Sequence, residues 1–551
     1  MKNKILKVHP QDNVIVALTN LVAGETVQLG TETYVVLENV SAKHKFATQD
    51  LQIGDEVTMY GVLVGKAQTP IFRGGLISTA NLKHAAGTYQ LGEQRSNWPA
   101  PQVNGFRERT FQGYHRADGK VGTANYWIVI PLVFCENRNL DVLREALVDD
   151  LGYGRKHSYQ RQTRELVSLL RAGKSVEDIL QADLDVETAT FAKNDRLFPN
   201  VDGVKFLTHD GGCGGTRQDA QALCGLLAGY IVHPNVAGAT VLSLGCQNAQ
   251  VAMLKEEIAK RDPQLAKPLY VLEQQTVGTE SALISEALKM TFAGLMQANQ
   301  ITRQPAPISK ICLGLECGGS DGFSGISANP TVGYTSDLLV TLGGSVILSE
   351  FPELCGVEQE LCDRCIDPPT AQRFSELMYT YNERAKAVGS GFDMNPSPGN
   401  IKDGLITDAI KSAGAAKKGG TSPVTAVLDY PEMVTKPGLN LLCTPGNDVE
   451  STTAEVGSGA NVVVFTTGLG TPTGNPVAPV IKIATNTALA RRMPDIIDFN
   501  TGSIIEGDET IEEAGKRLLE YVIAVASGEI EVAAVRHGQD DFIPWKRGVS
   551  L

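Results

Sequence analysis

Two glycine-rich segments and one strand-end tip gather the residue types that move protons and grip anions. Residues 207–220 read LTHDGGCGGTRQDA and set His209, Asp210, Cys213 and Arg217 around four glycines, between a predicted strand and a predicted helix. Glycines let backbone approach a ligand, and the N–H groups that open a helix favour an anion such as a carboxylate. Neutral imidazole near pH 7 exchanges a proton in either direction, so His209 beside Asp210 is a candidate acid–base group. A tight strand-to-helix turn with an incidental histidine is the competing reading. Residues 314–330 (GLECGGSDGFSGISANP) repeat the arrangement with Glu316, Cys317, Ser320, Asp321 and Ser324, and such a loop lies where open α/β sheets bind ligands. Residues 131–139 (PLVFCENRN) place Cys135, Glu136, Asn137 and Arg138 at the tip of an apolar strand. Arg138 has the fork that grips a carboxylate bidentately, or it is a surface arginine at a helix start.

Thiols and imidazoles add metal chemistry. Cys135, Cys213 and Cys317, all at predicted strand ends, admit an iron–sulfur cluster with one open iron, although unrelated core and loop thiols fit the same pattern. Cys362 and Cys365 form a lone C-x-x-C with Cys355 nearby; without a second close pair, ordinary thiols are the default over zinc. His44 and His84 stand in loops of the N-terminal stretch and are candidate ligands for a divalent ion, in a module that could cover a site. G-x-G-x-x-G is missing from these loops and no P-loop lysine follows them, which argues against nicotinamide and ATP.

The elements that must position these residues follow from periodicity. Short predicted strands at 5–8, 14–18, 34–37 and 56–60, separated by Gly24, Gly30, Gly54 and Gly61, make a small all-β module over residues 1–84. Residues 85–112 lose periodicity and turn to Gly, Pro, Asn, Gln and Ser, marking a linker across a surface. Strands then alternate with helices: predicted strands at 126–133, 204–208, 240–244 and 269–272 define an α/β domain over 113–305. A proline-containing break at 302–309 precedes a second series, with strands at 310–315, 344–349, 439–443 and 461–466, giving a C-terminal α/β domain over 306–551.

Composition limits the partners. A chain of 551 residues with 42% hydrophobic and 20% charged residues is globular and needs several cores. No apolar run reaches the roughly 20 residues of a membrane span, and the N-terminus leads into no secretory h-region, so the expected location is the cytoplasm with reduced thiols. A net charge of -13 excludes polyanions. The expected partner is a small anionic molecule; nucleic acid and membrane are excluded, and a homo-oligomer is left open.

Taken together the segments resemble the altronate dehydratase and galactarate dehydratase family, over nearly the whole length. The matching stretches are HPQDNVIVAL, AKHKFA and MYGVLVGKA, similar to a SAF-type β-clip domain, then GYHRADGKVGTANYWIVIPLVFCENRN, GLECGGSDGFSGISANP, NPSPGN, TPGND, FTTGLGTPTGNPVAPVIKIATNT and RRMPDIIDFNTG. GLGTPTGNP and DFNTG look more like the altronate branch. Two positions depart from the pattern: Ser78-Thr79-Ala80-Asn81 stands where many members carry His-x-His-Asn, and Gly122-Thr123-Ala124-Asn125 where many have Gly-Thr-Arg-Asn. The resemblance implies dehydration of altronate to a 2-keto-3-deoxy acid assisted by a divalent metal, usually Fe2+, with Mn2+ as second choice and His44 and His84 as expected ligands. Within that reaction His209 is expected to transfer protons, with Asp210, Glu136 or Asp321 as partner. Arg138, Gly212, Gly214, Ser320 and Asn125 are expected to bind the substrate.

Overall fold

The computed structural model describes residues 3–92, 97–154, 158–184 and 196–550. The chain builds a small all-β module followed by two α/β units. In the module, Ile5–Leu6, Val14–Ala17, Lys45–Ala47 and Leu76–Ile77 pair antiparallel in that order, and Glu56–Met59, Val62–Ala67 and Leu82–Lys83 form a second sheet. Gly61, at φ +79°, turns the chain between Glu56–Met59 and Val62–Ala67, a conformation that favours glycine. Ile15 and Phe46 are fully buried in the module's core.

The linker read at 85–112 runs over the C-terminal unit, with residues 93–96 outside the described set. The Tyr89 hydroxyl lies 2.9 Å from Ser375 Oγ and Trp98 Nε1 donates to Thr421 Oγ1 at 3.0 Å. Its end is not loop: Thr110–His115 is a strand, and it pairs antiparallel with Gln304–Pro307 inside the expected proline break. Pro305 and Pro307 are tolerated because this is an edge strand, where a missing N–H breaks no ladder.

The second unit carries a parallel sheet in the order Gly203–Phe206, Tyr126–Pro131, Val236–Ser243, Leu269–Glu273. Tyr126–Pro131 is buried at every residue, as a strand covered on both faces must be. Helices Asn137–Leu147 and Glu280–Ala298 cover one face around Trp127 and Val129. Helix Arg217–Val232 covers the other and also packs on the C-terminal unit, where Gly229 lies so close to Gly457 that a Cβ would sit 2.1 Å from its carbonyl oxygen.

The C-terminal sheet has seven parallel strands: Val424–Leu428, Gly438–Leu442, Ser345–Leu348, Cys312–Cys317, Val462–Thr467, Val480–Ala484 and Phe499–Asn500. Strand order reverses between Cys312–Cys317 and Val462–Thr467, and in the smaller sheet between Tyr126–Pro131 and Val236–Ser243. At such points successive loops diverge from the carboxyl ends and leave a crevice. Among the described residues no helix is long and apolar enough to cross a membrane.

Candidate functional site

A cavity of about 530 Å³ opens at the carboxyl end of the smaller sheet. Its floor is the glycine turn with His209, Asp210, Gly212 and Cys213; its far wall is Phe542, Trp545 and Lys546 near the chain's end, with Glu450 from the C-terminal unit. Helix Arg217–Val232 begins here, capped by the Thr216 hydroxyl, which accepts from Asp219 N. Gly212 is required: at φ +97° a Cβ would lie 2.3 Å from Leu132 O.

Within this turn His209 is buried and both ring nitrogens are engaged by backbone. Gly211 N–H donates to Nδ1 at 3.0 Å, and Nε2 lies 2.8 Å from Pro131 O, which makes Nε2 the protonated nitrogen. Burial pushes its pKa down to about 4, so the ring stays neutral and holds the loop in shape. Asp210 is exposed on the cavity wall. Glu450, missed by sequence reasoning although TPGND precedes it, has its carboxyl pushed up by burial.

The other sequence candidates lie elsewhere. Arg138 is mostly exposed and pairs with Glu280 at 2.6 Å, away from the cavity lining. Asn125 is fully buried, accepting from Arg116 at 2.9 Å and donating to the Asn200 and Ala298 carbonyls at 2.7 and 3.1 Å, so its amide is committed to the fold. Glu136 is buried with one oxygen accepting from Asn139 at 2.7 Å and the other unpartnered, and burial raises its pKa. Gly214, at φ +67°, belongs to the His209 turn but not to the lining. Asp321 sits at the seam with the β module: Lys43 Nζ approaches to 2.9 Å, and Ser324, Thr485 and Asn486 donate to it. Ser320 is buried beside it, its hydroxyl unpartnered and its carbonyl accepting from Asn400 at 2.8 Å.

A second group of ionisable residues fills the carboxyl end of the large sheet. Lys418 meets Glu350 at 2.6 Å and Lys411 meets Glu353 at 2.5 Å, all four buried or nearly so. Burial opposes ionisation of Glu353, but Lys411 and Lys418 outweigh it and hold its carboxyl below the ordinary value. Glu350 goes the other way: burial and the neighbouring Glu353 outweigh Lys418 and push it up. Burial likewise raises Asp448 to about 7 and lowers Lys482 to about 7. Asp448 touches the Gly318 backbone, where a Cβ would be 1.9 Å from its carboxylate, and opens helix Asp448–Gly457. That helix therefore joins the buried group, through Asp448, to the cavity, through Glu450.

Two groups among the described residues bring three potential ligands for one ion within 4.8 Å of one another: His84, Cys355 and Asp408, and Cys317, Glu350 and Glu353. His44 is in neither; its Nε2 lies 3.0 Å from Lys402 O. The expected cysteine set does not form, because Cys317 belongs to the larger sheet and lies buried between Glu350 and Glu353, at 3.7 and 3.6 Å. Cys362 and Cys365 are buried in the large core and join neither group.

This is a multidomain α/β protein with a β-clip-like module and a cavity of mixed polar and apolar lining, walled by both α/β units. It matches the altronate/galactarate dehydratase SAF domain over residues 3–85, the second domain of D-galactarate dehydratase/altronate hydrolase over 113–299, and the D-galactarate/altronate dehydratase C-terminal domain over 308–550. The chain belongs to the altronate/galactarate dehydratase family. It is 34% identical to an altronate dehydratase of Bacillus subtilis and 32% to one of Escherichia coli, each over 99% of both chains. It is 33% identical to the L-threo-forming galactarate dehydratase of Escherichia coli, over 95% of this chain and 93% of that one.

Proposed function

We propose that this chain is a carbon–oxygen hydro-lyase that converts D-altronate to 2-dehydro-3-deoxy-D-gluconate and water in hexuronate catabolism. The observation that carries the reading is the full-length likeness to two altronate dehydratases, joined to a cavity of the size that holds one small ligand. Ten free cysteines fit a reducing cytoplasm.

The reaction removes a weakly acidic proton from C2 and expels hydroxide from C3, so it needs a base, an acid and charge stabilisation for the enolate. Asp210, the exposed carboxylate on the cavity wall, is assigned the base. Glu450, held toward its protonated form by burial, is assigned the acid. His209 positions the loop that carries Asp210, and Lys546 with the backbone N–H groups of the turn receives the substrate carboxylate. A divalent ion, Fe2+ first and Mn2+ second, fits His84, Cys355 and Asp408: nitrogen, sulfur and oxygen donors suit a transition metal, and Asp408 has a buried oxygen without a partner. Such an ion supplies Lewis-acid charge to an oxygen ligand. None of these three residues lines the cavity. Glu350 and Glu353 fit an ion less well, since lysines already neutralise them.

The test is a keto-acid assay of chelator-treated protein against altronate, galactarate and other hexarates, before and after iron(II) or manganese(II) is returned. Metal-restored product from altronate is expected. Preference for galactarate moves the substrate assignment, equal turnover without metal removes the metal's role, and binding without turnover overturns the enzyme reading.

A further inference from the structure

Of the ten cysteines, three are exposed: Cys135, Cys213 and Cys246. Each follows the carboxyl end of a strand in the smaller sheet, after Tyr126–Pro131, Gly203–Phe206 and Val236–Ser243 respectively, and these strands are neighbours. Their loops are tied together. Phe134 N donates to Gly211 O at 3.0 Å, Ala249 N donates to Gly212 O at 3.0 Å, and Asn248 Nδ2 donates to Gly215 O at 3.4 Å. Asn137 adds a bond to His209 O at 3.0 Å. Gly212 makes the packing possible, since a Cβ there would meet Val133 Cα at 2.7 Å. Cys213 lines the cavity, as do Asn137, two residues beyond Cys135, and Asn248, two beyond Cys246.

We propose that Cys135, Cys213 and Cys246 hold an iron–sulfur cluster at the edge of the cavity, with the iron that lacks a cysteine left open to an oxygen ligand. Three thiolates around one ion, with metal–sulfur bonds of about 2.3 Å, would crowd within about 4 Å of one another; these three sulfurs do not all lie within 4.8 Å. Cluster thiolates each bind a different iron and stand further apart, so three strand-end loops around a shared centre suit a cluster better than a single metal. Cys317 does not belong to the set, being buried in the other sheet with a thiol that burial pushes up. Because the cluster would border the cavity and His84, Cys355 and Asp408 do not, the open iron rather than an ion at those three residues would serve the dehydration as a Lewis acid, without any change of oxidation state. That role rests on the hydro-lyase reading; the existence of the cluster does not.

The protein is purified anaerobically and reconstituted with iron(II) and sulfide, and its iron, acid-labile sulfide and visible absorbance are measured. Wild type should carry iron and sulfide together, and its three exposed cysteines should be protected from iodoacetamide until the cluster is removed. Cys213→Ser and Cys246→Ser should lose the absorbance with circular dichroism unchanged, while Cys317→Ser keeps it. Iron and sulfide at background in reconstituted wild type, or full content in Cys246→Ser, overturns the site. The alkylation pattern decides the matter in wild type even where a serine variant fails to fold. A keto-acid assay on the same samples separates the two proposals: a cluster without altronate turnover leaves the site standing and rejects the substrate, whereas full turnover in cluster-free protein rejects the cluster's role.

Discussion

The turns Cys213-Gly214-Gly215 and Cys317-Gly318-Gly319 carry the same three residues after buried strands of parallel sheets, yet one opens on a cavity and the other is sealed. Above the first lie an exposed Asp210 and a wall of residues near the chain's end. Against the second are packed Glu350, Glu353, Asp448 and their lysines, with Asp448 against Gly318 itself. A glycine turn fixes where backbone can be approached, while the segments that arrive from elsewhere decide whether water and a ligand reach it. The open turn is therefore assigned chemistry, and the sealed one a charged core whose disruption should be felt first as instability.

Removing one partner of a sealed pair should have the largest effect. Lys418→Met leaves Glu350 buried without its cation and is expected to cost about 3–5 kcal/mol in urea unfolding, since an uncompensated buried charge cannot recover its hydration. A midpoint near wild type would mean that the sealed region is wetter than its packing implies. At the open turn, Asp210→Asn should leave unfolding unchanged and lower turnover by roughly 10²–10⁴-fold, the usual worth of a positioned acid–base group. Undiminished turnover would return the base to Glu136 or Asp321.

His209→Asn separates positioning from proton transfer. Loss of two buried backbone hydrogen bonds should destabilise the protein by about 1–3 kcal/mol. The pH dependence has a definite sign. His209 is neutral in the fold down to about pH 4, while an unfolded histidine takes a proton below about 6.5, so its contribution is present above 6.5 and is lost as pH falls toward 4. Asp448 works in the opposite direction: its carboxyl stays protonated up to about 7 in the fold but ionises near 3.8 when unfolded, so stability is lost as pH rises between those values. The two windows overlap, so the variant should lose the His209 contribution between about pH 6.5 and 4 and leave the opposing Asp448 contribution uncovered there. If turnover per folded molecule collapses while stability holds, His209 itself moves the proton.

The smallest effect is expected at Arg138. It forms an exposed ion pair with Glu280 outside the cavity, so Arg138→Ala should shift stability by no more than about 0.5 kcal/mol and leave KM unchanged. A large rise in KM would put the substrate carboxylate at Arg138 after all.

Much of this was legible in the sequence. Strands such as 126–133 and 461–466 are apolar runs bounded by polar turns, and the order of β module, linker and two α/β units follows from where period and composition change. The strand Gln304–Pro307 was hidden because proline signals a break, and only its edge position makes it tolerable. The His209 turn was visible as a candidate site; the engagement of both its ring nitrogens was not, because the Pro131 carbonyl lies 78 residues away in the chain. Glu450 and Lys546 escaped notice for the same reason, and Cys246 because its GCQN turn lacks the doubled glycine that drew attention to Cys213 and Cys317. Residue type announces chemistry at a turn, but long-range packing decides which groups remain free to perform it.

Altronate is followed with the anaerobically prepared, metal-supplied protein in D2O by NMR. Loss of the C2 proton and C3 hydroxide gives an enol that takes one solvent deuteron at C3 as it becomes the ketone, so a 2-keto-3-deoxy acid carrying a single deuterium there is expected. Altronate that binds but persists unchanged, or a product still hydroxylated at C3, would contradict the hydro-lyase reading.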